Sequence, residues 1–163
     1  MKKLILSLIV FAFTGCISGE KKLSQSPRSA SEILQGSWIA CDSKENESMQ
    51  IEYVFVFNHL YQNISQWDES NCLGHKTASV TFKSLVRLGE LGKSSVIKGA
   101  TNFDMIPNID LFECGLGKTA YTIIKFTDEG YSKFNLAAGL PSCDVDERTD
   151  NIDNRVIFIR QDK

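Results

Sequence analysis

Two histidines, five cysteines, an acidic loop and a Gly-Lys-Thr run are the features of this 163-residue chain whose residue types could support chemistry. His59 and His75 are the only imidazoles, and neither has a nucleophile partner at a recognisable spacing. A Ser-His-Asp group could form only through tertiary contacts. GLGKT at 115–119 matches the end of a phosphate-binding loop, G-x-x-x-x-G-K-[ST]. That pattern puts its first glycine at 112, where Phe112 stands, and no helical pattern follows. The run reads instead as a Gly-rich loop leading into a strand. The stretch CDVDERTDNIDN at 143–154 holds Asp144, Asp146, Glu147, Asp150 and Asp153. A calcium loop of EF-hand type beginning at Asp144 needs an oxygen ligand at 148, Gly at 149 and Glu at 155. The chain has Arg148, Thr149 and Arg155. A solvated loop, neutralised by Arg148 and Arg155, is the expectation. No CxxC pair is present and the thiols are widely spaced, so neither a metal nor a cofactor is expected.

The first cysteine has a separate meaning. Lys2 and Lys3 precede the apolar run LILSLIVFAF at 4–13, which is far short of the roughly 20 residues a spanning helix needs. A basic start, a short apolar core and small residues at its end describe a secretory signal. Phe13, Thr14, Gly15 and Cys16 then follow the order apolar, small, Gly, Cys. These four residues resemble the lipobox of bacterial lipoproteins. The resemblance implies cleavage of a 1–15 signal peptide and diacylation of Cys16. Ile17 stands where Asp would favour inner-membrane retention in the sorting pattern this resembles. The expected address is therefore the outer membrane, facing the periplasm. Residues 16–28 are the lipidated terminus and a polar tether, and 29–163 a single domain.

With Cys16 assigned to lipid, Cys41, Cys72, Cys114 and Cys143 remain. An even set in an exported chain favours two disulfides, for which three pairings exist. Neighbouring strands are easiest to bridge, which favours Cys41–Cys72 and Cys114–Cys143. The formal net charge of −2 becomes more acidic once Lys2 and Lys3 are removed. With its basic residues scattered, the domain has no electrostatic reason to bind nucleic acid.

Positioning comes from strands. Ser29-Ala-Ser-Glu32 has the spacing of a capping box and begins a short helical turn ending near Gly36. Beyond it the pattern has period two, with strands expected at 37–41, 49–57, 60–67, 77–87, 95–104, 119–126, 131–138 and 154–161. In MQIEYVFVF, Met49, Ile51, Tyr53, Phe55 and Phe57 share one face. In the last strand, Val156 and Phe158 share a face with Arg160, opposite Ile157 and Ile159. Long connections at 105–118 and 139–153 each carry a cysteine. Short strands, frequent turns and no helices between them give an all-β fold: an eight-stranded antiparallel up-and-down barrel behind a short N-terminal helical turn. Closing eight strands removes the exposed edges, and the interior is either filled or holds one small ligand.

GSW at 36–38, at the head of the first strand, resembles the Gly-x-Trp of the lipocalin superfamily. That resemblance implies a lipocalin-like barrel in which Gly36 and Trp38 mark the closed end. It also implies that an Arg of the last strand covers the indole, with Arg160 the match and Arg155 the fallback. The order LQGSW, Cys, strand pair, DESNC resembles small Gram-negative envelope lipoproteins with such barrels. The functional expectation is a non-catalytic lipoprotein holding a small apolar molecule or lipid, with Tyr53, Phe55 and Phe57 as cavity residues or as a filled core. The alternative is a structural or protein-interaction lipoprotein using its surface loops. Cys16→Ser is expected to abolish partitioning into detergent. Phase separation of whole-cell extracts measures it, and unchanged partitioning would refute lipidation.

Overall fold

A computed structural model of the chain describes residues 28–161. The segment expected as a signal peptide (1–15), Cys16 and all of the expected tether except Arg28 lie outside the described residues. Helix α1 (Ala30–Leu34) is a capping-box helix. Ser29 Oγ accepts the Glu32 N–H at 3.2 Å, and Glu32 Oε2 accepts the Ser29 N–H at 2.7 Å. Ala30, Ile33 and Leu34 are its buried face.

Eight strands follow: β1 (Gly36–Ser43), β2 (Ser48–Val56), β3 (His59–Trp67), β4 (Lys76–Leu88), β5 (Thr101–Pro107), β6 (Ala120–Phe126), β7 (Lys133–Ala137) and β8 (Ile152–Gln161). Each pairs antiparallel with the next, and β8 returns to β1 to close the barrel. The expected architecture is therefore the observed one. The turns β2–β3, β4–β5 and β6–β7 lie at the end holding α1, which is the closed end. The turns β1–β2, β3–β4, β5–β6 and β7–β8 form the mouth.

Most strand boundaries depart from expectation by a residue or two, and those of β5 and β2 have local reasons. The run 95–100, expected as the start of a strand, is turn. Ser94 donates to Ala100 O, Ala100 donates to Ile97 O, and Gly99 sits at φ +79°. Strand β5 starts at Thr101 and runs on through Pro107, where the missing N–H is tolerated at a strand end. Phe57 also leaves its strand. Strand β2 ends at Val56, and Phe57 occupies the β2–β3 turn at φ 54°.

The closed half of the barrel is packed with aromatic rings. Trp38, Phe103, Phe134 and Phe158 are essentially inaccessible to solvent, and Tyr53 and Phe55 are buried with them. Phe134 stacks on Phe158 at 4.8 Å, Tyr53 lies 4.6 Å from Phe158, and Trp38 lies 4.9 Å from Phe134. Arg160 is paired in register with Trp38 and places its guanidinium 5.0 Å from the indole. The same guanidinium donates to the carbonyls of Ile33 and, at 3.0 Å, of Gln35. Trp38 Nε1 donates to Leu34 O at 2.8 Å. Helix α1 is thus fastened to the first and last strands together. Gly36, at φ +106°, makes the turn from helix into strand in a backbone region that strongly favours glycine.

Arg160→Ala is expected to cost about 1–3 kcal/mol, through two carbonyls left without donors and a bare indole face. Arg160→Lys should restore only part of this, because an ammonium lacks the planar fork. Urea unfolding measures both, and an unchanged midpoint for the Ala variant would contradict the fastening role.

Candidate functional site

Inward-facing residues change in size along the strands. One rung of the barrel is Trp38, Tyr53, Gln62 and Phe82, paired in register across β1–β4. The next rung towards the mouth is Ala40, Ile51, Ile64 and Val80, and the one beyond it is Asp42, Met49, Gln66 and Ala78. Aromatic bulk gives way to small and aliphatic side chains. Beside β4, β5 stops at Pro107, which pairs with Ser84, below all three rungs. A pocket of about 450 Å³ opens where the filling stops. Met49, Ile64, Ala78 and Val80 supply its apolar wall, with Asp42 and Gln66 beside them and Lys44 and Glu47 at the rim. Lys44 Nζ lies 3.4 Å from Glu47 Oε1, an exposed pair that adds little stability. Just below the pocket, Gln62 is buried and its Oε1 accepts no hydrogen bond among the described residues.

The mouth is held by covalent and ionic ties. The disulfide Cys41–Cys72 joins β1 to a 3-10 turn (Ser70–Cys72) in the β3–β4 connection. Ser48 Oγ accepts the Cys72 N–H at 2.8 Å and donates to Glu69 O at 2.6 Å, which fastens the same connection to β2. The disulfide Cys114–Cys143 joins the β5–β6 and β7–β8 connections. Phe112, two residues before Cys114, packs against the barrel core. Arg148 does not neutralise its own acidic loop. Its nearly inaccessible guanidinium pairs with Asp104 of β5, donates to Thr122 O of β6 at 2.8 Å, and lies 5.1 Å from the Tyr121 ring. That contact latches the β7–β8 connection onto the outer wall. Arg155 pairs with Asp153 at the start of β8, through two hydrogen bonds of 3.0 and 2.8 Å. These bonds hold the Asp153 carboxyl down to about 2.

The residues singled out from the sequence separate by location. Tyr53 and Phe55 belong to the filled core, and burial pushes the Tyr53 phenol well above its ordinary range. Phe57 is a correction. At 82% exposed in the β2–β3 turn, it lies outside the barrel interior, held by the Gln35 side-chain amide, which bonds both its N–H (2.8 Å) and its carbonyl (3.2 Å). Period-two alternation counted it one residue past the end of the strand. His59 begins β3 and His75 lies exposed in the β3–β4 connection. Among the described residues no three His, Cys, Asp or Glu side chains gather as a metal site. The GLGKT run occupies the β5–β6 connection and turns through Gly115 and Gly117, both at positive φ. Residues that sequence reasoning missed are Ile64, Gln66, Ala78 and Val80. Their alternation was visible, but the early end of β5 beside them was not. The chain matches no protein-family model, no curated protein and no solved structure.

The bridge Cys114–Cys143 closes a separation of 29 residues. Chain entropy assigns such a bridge about 3–4 kcal/mol. Replacing both cysteines by Ser is expected to lower unfolding free energy by about that amount. Amide exchange should rise at 108–119 and 138–151 while β1 and β2 stay protected. Unchanged exchange in those connections would show that Arg148 and Phe112 hold them without the bridge.

Proposed function

We propose that this chain is a lipid-anchored envelope lipoprotein of lipocalin-like type, moored through Cys16 in the outer membrane and facing the periplasm. Its barrel acts as a non-catalytic binder that takes a small apolar molecule or lipid tail at the mouth. The observation that carries the binding reading is the mouth pocket. A volume of about 450 Å³ lies within the range of small-ligand sites. Its wall combines aliphatic side chains with a few polar groups, the mixture that buries a hydrocarbon and orients one polar end. The aromatic rows lie beneath it, so the ligand sits above Tyr53 and Phe55 rather than among them. The two disulfides support an oxidising compartment. The Arg160–Trp38 contact supports the lipocalin resemblance. The body stands off the membrane on residues 16–28, and two or more acyl chains provide the anchor.

A second reading rests on the other loops of the mouth. Leu116 is 72% exposed and Leu140 78%, on the two connections joined by Cys114–Cys143. Exposed apolar side chains on covalently restrained loops suit a protein contact. Mass spectrometry of the protein extracted from its own envelope tests the first reading through a stoichiometric lipid. A lipophilic fluorophore then separates the two. Ala78→Trp, which fills the pocket, is expected to weaken fluorophore binding at least tenfold. Leu116→Glu with Leu140→Glu should leave it unchanged. The reverse pattern would favour the loop contact and remove the pocket from the function.

A further inference from the structure

Strand β4 has 13 residues, and β5 covers fewer than half of them. Pairing with β5 runs from Leu88 to Ser84 and ends at Pro107. One further contact caps it. Asn108 N donates to Lys83 O at 2.9 Å, and Lys83 N donates to Asn108 Oδ1 at 3.2 Å. Residues 76–82 then have β3 on one side and, among the described residues, no strand on the other. Backbone groups alternate sides along an antiparallel strand. Since Lys83 directs its N–H and C=O towards the β5 side, so do Thr81 and Ser79. Neither residue's backbone has a partner on that side among the described residues. Ser79, Val80 and Thr81 are all exposed, with Val80 at 45%.

An open row of donors and acceptors is a template for one more strand. The side chains indicate which strand. Between Lys76 and Lys83 the sequence is TASVTF, uncharged and rich in β-branched residues. Placed antiparallel to a copy of itself about Ser79, it sets Ser79 opposite Ser79, Thr77 opposite Thr81, Ala78 opposite Val80 and Lys76 opposite Phe82. The two Ser79 hydroxyls meet on the outer face, Ala78 meets Val80 on the pocket face, and Lys76, beyond the register shift at Thr77, faces no like charge. The overlap is the seven residues that β5 leaves uncovered, so neither copy's Asn108 cap is displaced.

We propose that the free edge of β4 pairs with the same edge of a second copy, giving a two-fold dimer with a continuous sheet across it. The joined edges wall the open side of both mouth pockets. This pairing is independent of what the pocket binds. It places the two Ser79 Cα atoms about 5.5 Å apart, within disulfide range.

Ser79→Cys in the full chain, oxidised in its native membranes, is therefore expected to yield a covalent dimer on a non-reducing gel, with Thr81→Cys giving much less. Adding Thr81→Pro to Ser79→Cys removes an edge N–H that β3 does not use, and should abolish the dimer. Val80→Lys should do the same by placing charge on the pocket face of the joint, should the proline variant fail to fold. A Ser79→Cys protein that stays monomeric would overturn the proposal. So would a cross-linked product containing a different polypeptide, or a dimer that survives Val80→Lys.

Discussion

A single guanidinium placed over an indole ties this barrel together. Arg160 sits on the last strand, Trp38 on the first, and the carbonyls that Arg160 reaches belong to the end of α1 and the residue that follows it. Closing an eight-stranded sheet requires its two terminal strands to meet in one register. Among the described residues three residue pairs join β1 to β8. Backbone pairing that short is a weak seam by itself. The Arg160–Trp38 contact adds a partly buried cation, a covered indole face and two satisfied carbonyls at that seam. The packing of Phe134, Phe158 and Tyr53 depends on it, because those rings stack only when β7, β8 and β2 face one another across a closed wall.

The closed end and the mouth hold together by different means. At the closed end, aromatic surface removed from water supplies the stabilisation, at roughly 25 cal/mol per Å² of apolar area. At the mouth the inward side chains shrink to Ala40, Ile51 and Val80, and β5 stops early. Burial is weaker there, and order comes from two disulfides, the Ser48 hydroxyl and the Arg148 latch. A packed base fixes the strand directions at one end, while covalent ties restrain the connections at the other, where the pocket lies. This division also accounts for the buried Gln62 Oε1 that has no donor partner among the described residues, where the polar atom lies at the boundary between filled and unfilled interior.

Much of this was legible locally. Alternation in MQIEYVFVF and in the last strand placed Tyr53, Phe55, Phe158 and Arg160 correctly, because a strand's period of two needs no tertiary information. Capping at Ser29 and Glu32 was equally readable, since both partners lie within one helical turn. Phe57 and the start of β5 were misplaced because turn geometry decided them. A hydrophobic residue held in a turn by a distant glutamine amide looks, in sequence, like one more residue of its strand. Arg148 was read as part of an acidic loop, yet its partner Asp104 is 44 residues away.

The sequence by itself determined a strand-built domain, an even set of four cysteines, a first strand headed by Gly-x-Trp, and the lipobox-like segment at Cys16. Each follows from short-range pattern or composition. Only the tertiary structure decided where the interior is full and where it is empty, since that depends on which side chains face each other across the barrel. It also decided that β5 ends at the level of Ser84 and, among the described residues, leaves half of β4 with a neighbour on one side only. Strand lengths can be read along a chain, but the stagger between strands arises from shear in the closed sheet, and that stagger places the pocket and the open edge.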